Sequence, residues 1–373
     1  DRPVLHPGAQ KLAVGRIVDE PSGFEICDQV HISTDDATPR HRSGRSVTVG
    51  IVPDIVELAR MFHDSGHDQG VRSPFNANLN RRIAETPSII ALLQAAPDEQ
   101  QLPVLLLAAV HSLVLAEPDL ELAQWYPTVT ADAFDSDPFP AFERLCSQRG
   151  QQIREIVALR FTQTNEVGRC ALLLPALGML DAEVGALSLI DVGTSAGLNL
   201  HVDRYEYRYS PGGTVGRASR VVLICGTRGA VPVPDRLPAI AGRIGIDQHP
   251  IDLSDPDEAR WLMACVWPDQ ADRFQRIEAA IEIAREHPPE IRRTNAIAGL
   301  RPAVSSAGEH GHPVIMNSWV LNYLSDAQRV DYLGELDAIG SRRDLSWVFA
   351  ESPALCPGIP FAREFDNDSE HLT

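Results

Sequence analysis

The stretch Leu187-Ser-Leu-Ile-Asp191-Val-Gly193-Thr194-Ser195-Ala-Gly197-Leu-Asn199 constrains this chain more than any other. Leu187–Asp191 has the length and apolar character of a buried strand, and Leu198–Tyr205 beyond the turn reads as a helix. Glycines at 193 and 197 let the backbone turn tightly and approach a ligand without Cβ clashes. The free N–H groups of the expected helix start, and its positive dipole end, would face the same place. Asp191, at the carboxyl end of the strand, accepts hydrogen bonds from an amine or hydroxyl. Together with Thr194, Ser195 and Asn199 it forms a cofactor cradle on the expected geometry.

Short apolar runs recur after this turn at Arg220–Cys225, Arg243–Ile246, Glu290–Arg293, Pro313–Met316 and Leu345–Ala350, with helical stretches at Asp257–Ala264, Ala271–Glu286 and Asp326–Ile339. Such alternation predicts a Rossmann-like, doubly wound, mostly parallel sheet over residues 183–352, with insertions at 205–233 and 254–288. Residues 51–182 carry apolar residues at three- and four-residue spacing and predict an all-helical region without strands. Residues 1–50 read as a flexible or weakly ordered extension, and 353–373 as a polar tail.

Composition narrows the class. With 373 residues, 44% hydrophobic and 23% charged, the chain can bury a substantial core. No apolar run is long enough to cross a bilayer, and Asp1 is not followed by a basic segment and an apolar stretch, so neither a membrane span nor a signal peptide is expected. Six scattered cysteines without a C-x-x-C pair disfavour a zinc site or a disulfide framework and suit the cytoplasm. A net charge of −18 disfavours a nucleic-acid partner, whose phosphates need clustered Lys and Arg.

Three readings of the turn stand side by side. Gly193-Thr-Ser195-Ala-Gly197 fits G-x-S-x-G, the nucleophile elbow of serine hydrolases such as patatin-like lipases, with Ser195 as nucleophile. No oxyanion-hole loop precedes it, and everything before it reads as helical. Asp191-x-Gly193-x-x-x-Gly197 resembles the first motif of class I S-adenosylmethionine methyltransferases. A glycine turn with a purely structural role is the third.

The methyltransferase resemblance extends further. Arg243–Asp247 resembles the second strand of that fold, whose terminal acid takes the ribose hydroxyls, although Asp247 lies 50 residues beyond Gly197 where about 20 is usual. Asn295, after a third strand, is either an adenine contact or an ordinary helix cap. Asn317, Trp319 and Tyr323, after the fourth strand, either line the pocket of the methyl acceptor or pack. The implied protein is a methyltransferase that binds S-adenosylmethionine and modifies a small molecule. A cofactor-binding regulator without catalysis is the remaining possibility.

Four stretches together resemble an uncharacterised bacterial family frequent in actinobacteria: Leu106–Leu115, Gln163–Leu177 (QTNEVGRCALLLPAL), Leu189–Tyr209 (LIDVGTSAGLNLHVDRYEYRY) and Arg260–Gln270. The resemblance implies a methyltransferase-like domain behind a helical region, but supplies no reaction. A class I methyltransferase also adds two strands beyond the fifth, the last antiparallel, and none is expected after Pro353.

Asn165 or Thr164 would cap the helix that precedes the cofactor strand, placing Glu166 and Arg169 on one face. Arg169 could then hold a cofactor carboxylate and Glu166 act as general base, or the two could form a local ion pair. His63 and His67 read as part of a solvated turn, with Gly66 breaking any helix that would present both to a metal. His111, in an apolar run, reads as a satisfied core histidine.

Overall fold

The computed structural model of the chain describes residues 10–13, 18–20, 23–27, 54–68, 70, 72–163, 165–228, 231–351 and 355–356. In chain order the strands are β1 (Gln10–Ala13), β2 (Val18–Glu20), β3 (Gly23–Cys27), β4 (Leu187–Val192), β5 (Glu206–Ser210), β6 (Gly213–Val215), β7 (Val222–Arg228), β8 (Ile240–Asp247), β9 (Glu290–Arg293), β10 (His312–Ser318) and β11 (Ser346–Ala350). The α-helices are α1 (Ile55–Asp68), α2 (Pro74–Ala84), α3 (Pro87–Leu93), α4 (Pro103–Ala116), α5 (Phe139–Leu159), α6 (Cys170–Val184), α7 (Pro256–Ala264), α8 (Ala271–Glu286), α9 (Ala296–Ala307) and α10 (Asp326–Gly340). They divide into two compact units, one of Asp1–Thr34, Asn165–Pro250 and Ala279–Thr373, the other of Asp35–Thr164 and Ile251–Glu278.

The first unit is Rossmann-like α/β. Its main sheet runs β1-β11-β10-β4-β8-β9, parallel at every pairing. From β4 the chain adds β8 and β9 on one side and then β10 and β11 on the other. The order therefore reverses between β4 and β10, and the crevice outside the carboxyl ends of those two strands is where ligands bind in open α/β sheets.

Every residue of β4 is buried, which is why it reads as a continuous apolar run instead of an alternating one. Ile190 and Val192, with Ile315, Trp347 and Phe349 of the neighbouring strands, pack against Leu300, Val304, Leu336 and Ile339 of α9 and α10. Alternation sends Asp191 to the opposite face with Leu189. There α6 packs on β4 and β11, and it also touches β7 of a second sheet ordered β2-β3-β7-β5-β6. Covered on more than one side, α6 has no polar face, and its residues Cys170–Leu177 are all buried.

Four features depart from expectation. The region 1–50, read as an extension, contributes β1–β3, and β1 extends the main sheet beyond β11 as a sixth, parallel strand. Residues 28–50 and 357–373 lie outside the described residues. The segment 205–233, read as a hairpin-like insertion, does form the β5–β6 hairpin, but with β7 it builds most of the second sheet. The α/β unit also starts at Asn165, ahead of the expected 183, so α6 belongs to it, while the part of the second insertion up to Glu278 groups with the helices.

The second unit is helical. Its central α4 is apolar on all sides and buried from Leu105 to Val114. His111 within it donates Nδ1–H to Ala264 O at 3.0 Å and accepts the Thr128 hydroxyl through Nε2 at 2.8 Å, and burial lowers its pKa to about 4. Gly66 does not break α1 as expected, because it seats against the Arg81 side chain inside a continuous helix. His63 and His67 therefore lie on that helix, ring centroids 4.9 Å apart.

Candidate functional site

The Gly193–Gly197 turn closes over the end of β8. Gly193 and Thr194 donate their N–H groups to Ile246 O at 2.8 and 3.2 Å, and Gly197 donates to Thr194 O at 2.8 Å. Ser195 donates its N–H to Asp247 Oδ2 at 2.8 Å, while Asp247 Oδ1 accepts from His249 N–H at 2.8 Å. Gly193 and Gly197 have φ of 71° and 75°, in the left-handed region that favours glycine. A Cβ on Gly193 would also sit 2.7 Å from Val320 Cγ2, in the segment after β10, and one on Gly197 would sit 2.7 Å from Pro289 Cγ.

One part of the expected cradle is absent. Leu198–Arg204 is a 3₁₀ turn with a break at His201, in place of the α-helix read from the sequence. A turn this short carries little macrodipole, and the N–H groups of residues 193, 194, 195 and 197 already have protein acceptors. Those four N–H groups are thus unavailable to a phosphate. The side-chain acceptors around the turn are Asp191, Asp247 and the Ser195 hydroxyl, the first and last of them buried.

The 3₁₀ turn is fastened from the second sheet. Tyr205 and Tyr207 donate their hydroxyls to Leu198 O and Val202 O, each at 2.6 Å, and Tyr209 donates to Ala171 O at 2.7 Å. Tyr207 and Tyr209 lie on one face of β5, and Tyr205 immediately precedes that strand; all three rings are buried.

Asp191 is buried, and its Oδ2 accepts the Thr194 hydroxyl at 2.8 Å. Burial pushes its carboxyl up to about 7; the Thr194 hydrogen bond opposes this, the Asp247 carboxylate adds to it, and Arg169 again opposes. Asn165 donates its amide to Thr194 O at 3.0 Å, while its own carbonyl oxygen is buried without a partner. The Ser195 hydroxyl is in the same condition, on a residue held at φ 53°.

The remaining sequence-predicted residues take other work. Arg169 donates to Ser318 O at 3.1 Å, and its guanidinium lies 5.9 Å from the centre of the Trp319 ring, in the segment following β10. Glu166, expected as a general base, uses Oε1 to accept Gly168 N–H at 2.8 Å and so caps its own turn. Asn199 accepts the Cys170 thiol through Oδ1. Asn295 is exposed and caps α9, accepting Ala298 N–H at 2.8 Å, which is the helix-cap alternative. Asn317, expected in the acceptor pocket, is wholly buried: its amide donates to Glu351 and its carbonyl oxygen accepts from Trp347 Nε1 and Tyr332 OH. It is structural. Tyr323 is 60% exposed.

Glu351 escaped sequence reasoning. It follows the last residue of β11 and is only 1% exposed. Its Oε1 accepts the Asn317 amide at 2.7 Å and Val320 N–H at 2.6 Å, and its Oε2 has no partner. Burial pushes its carboxyl up to about 7, against the hydrogen bonds from Asn317, Val320 and Leu321 and the charge of Arg169. Beside it, Trp319 is held at φ 65°, a conformation rare for a bulky residue. The signal that could have found Glu351 is register, since parallel pairing brings the ends of β4, β10 and β11 level.

Among the described residues no group of three His, Cys, Asp or Glu is placed to hold a metal ion, and no helix is long and apolar enough to cross a membrane. The α/β unit, with its glycine turn at the switch point between β4 and β10, defines a Rossmann-like protein. The chain belongs to the family described as uncharacterized protein conserved in bacteria (DUF2332), whose model matches residues 59–369. No curated protein and no solved structure matches it.

Proposed function

We propose that the α/β unit binds S-adenosylmethionine and transfers its methyl group to a small molecule. The observation that carries this reading is the acceptor-rich turn. A dinucleotide needs free N–H groups for its pyrophosphate, and here residues 193, 194, 195 and 197 have spent theirs while Asp191 and Asp247 flank the turn with negative charge. S-adenosylmethionine has no phosphate and offers an ammonium, a ribose diol and a sulfonium, which are donors and positive charge. The unpartnered acceptors Ser195 Oγ and Asn165 Oδ1 and the carboxylate of Asp247 fit that ligand.

In this reading Asp247 takes the ribose hydroxyls, Asp191 and Asn165 orient the amino-acid end, and Arg169 shapes the wall formed by the segment after β10. When bound, the cofactor supplies an activated methyl group on a positive sulfur. The protein's part is chiefly to fix the acceptor in line with that carbon at about 3–3.5 Å.

A second reading, a serine hydrolase with Ser195 as nucleophile, draws support from φ 53° at Ser195, since a nucleophile elbow is a strained turn. The hydroxyl has no histidine within hydrogen-bond reach among the described residues, however, and a 3₁₀ turn follows it. Two measurements separate the readings. Thermal-shift titration with S-adenosylhomocysteine at a hundredfold excess over Kd should add about 2.7 kcal/mol, or roughly 5–10 °C, in the wild type and much less in Asp247→Ala. Absence of any shift, with fluorophosphonate labelling lost in Ser195→Ala, would replace the transferase by the hydrolase.

A further inference from the structure

We infer that Glu351 is the proton acceptor of the transfer, and that the methyl acceptor is therefore a hydroxyl or amine that carries a proton; this rests on the cofactor reading above. Glu166, the residue expected as general base, caps its own turn, and of the residues expected to line the acceptor pocket Asn317 is consumed in the core and Tyr323 is exposed. Glu351 has the opposite character. One oxygen is pinned by Asn317 and by Val320 N–H, Leu321 N–H also favours the ionised carboxylate, and Oε2 is buried without a hydrogen bond. A native protein rarely leaves a buried carboxylate oxygen unsatisfied, and a donor brought by a ligand would complete this one.

Position agrees with that role. Val320, whose N–H is held by Glu351, has its side chain against Gly193, so one residue links the carboxylate to the glycine turn across the switch point. The charged and titratable groups around Glu351 are Arg169, Tyr332 and Cys356, and Tyr332 and Arg169 also interact with Asp191. Arg169 favours the ionised form, burial the neutral one, and the two leave the carboxyl poised near neutrality, which suits a base at physiological pH.

The step balances. As the bond from the acceptor oxygen or nitrogen to the methyl carbon forms, the carbon–sulfur bond breaks with its electron pair left on sulfur, and the acceptor's proton passes to Glu351 Oε2. That proton then leaves to solvent.

The inference is tested by binding, with no need of the natural acceptor. Sinefungin carries a protonated amine where S-adenosylmethionine carries its transferable methyl, and S-adenosylhomocysteine carries nothing there. Calorimetric titration of the full chain at pH 8 should show sinefungin bound at least tenfold tighter than S-adenosylhomocysteine. The preference should vanish in Glu351→Gln, with S-adenosylhomocysteine affinity changed less than twofold, and should survive in Glu335→Gln, which removes an acid paired with Arg301 outside the site. In the wild type, which needs no altered fold, it should also shrink between pH 8 and pH 5.5. No preference in the wild type, a preference kept in Glu351→Gln, or a preference lost equally in Glu335→Gln would overturn the assignment. Failure of the wild type to bind either compound would instead remove the cofactor reading on which it stands.

Discussion

The carboxylate of Asp247 holds the backbone N–H of Ser195 at 2.8 Å, tying the end of β8 to the glycine turn 52 residues earlier in the chain. Its second oxygen holds His249 N–H, so one side chain organises both loops at the rim of the crevice. Hydrogen bonds to a charged group contribute about 1.5–3 kcal/mol each. Asp247→Ala should therefore lower stability by roughly 2–4 kcal/mol in urea denaturation and weaken S-adenosylhomocysteine binding at least tenfold. Asp247→Asn, which keeps one acceptor, should lose about half as much stability.

Gly193 carries two separable constraints. Its φ of 71° costs an L-residue about 1–2 kcal/mol, and its Cβ would overlap Val320 Cγ2, which costs roughly 1–3 kcal/mol more in a packed site. Gly193→Ala should lower stability by the sum of these terms. Combining it with Val320→Ala should recover the overlap but not the dihedral cost, so the pair should show clear non-additivity in a double-mutant cycle.

How far the site could be read beforehand follows from the range of the interactions involved. The β4 strand and its turn were legible because their signals are local: a short, mainly apolar run and glycines four residues apart. Asp247 was legible as the acid that ends a strand. Asn317 carried the same local signal, a polar residue at the end of β10, yet its partners Tyr332, Trp347 and Glu351 lie 15 to 34 residues away and consume it. Glu351 was hidden for the matching reason, since only the register of three parallel strands shows that it faces the switch point. The 3₁₀ turn at Leu198–Arg204 has a helix-like composition, and the hydroxyls of Tyr205 just after it and of Tyr207 in β5 draw on two of its carbonyls, contacts that override propensity. The strands at Gln10–Cys27 are only three to five residues long, too short for periodicity to register.

Those tyrosine bonds give a direct test of how the turn is held. Tyr207→Phe removes a hydroxyl that donates to Val202 O in a fully buried setting and leaves that carbonyl unsatisfied. The expected loss is about 1–3 kcal/mol, with hydrogen exchange accelerated at residues 198–204 before the rest of the sheet.

Stability should depend on pH in two opposing ways. Asp191 and Glu351, at ordinary values of 3.8 and 4.5, are both pushed to about 7 in the folded chain. The folded state then binds more protons than the unfolded state between those limits, so their contribution is complete below pH 4 and is lost as pH rises to 7. His111 is lowered from 6.5 to about 4, so its contribution runs the other way and grows across the same window. Urea midpoints measured from pH 4.5 to 8 should separate them. Asp191→Asn and Glu351→Gln should each flatten the fall between pH 6 and 7.5. His111→Gln should steepen the fall below pH 6.5.

Ser195 shows stability and binding set against each other at one residue. A serine at φ 53° carries a cost of about 1–2 kcal/mol that glycine would not, and its hydroxyl makes no hydrogen bond whose loss would offset the gain. Glycine's extra unfolded-state freedom returns roughly 0.5–1 kcal/mol of that gain. Ser195→Gly should therefore be as stable as the wild type, or up to about 1 kcal/mol more stable, in the absence of ligand. If the hydroxyl contacts the cofactor, the same variant should bind S-adenosylhomocysteine several-fold more weakly. Ser195→Val, which keeps the strain and adds a branched side chain, should be destabilised by at least about 1 kcal/mol relative to glycine. Thermal unfolding and calorimetric titration of the two variants read both quantities. Unchanged affinity in the glycine variant would leave Ser195 no part in recognition and shift that role to Asn165, whose carbonyl oxygen is the other unpartnered acceptor beside the turn.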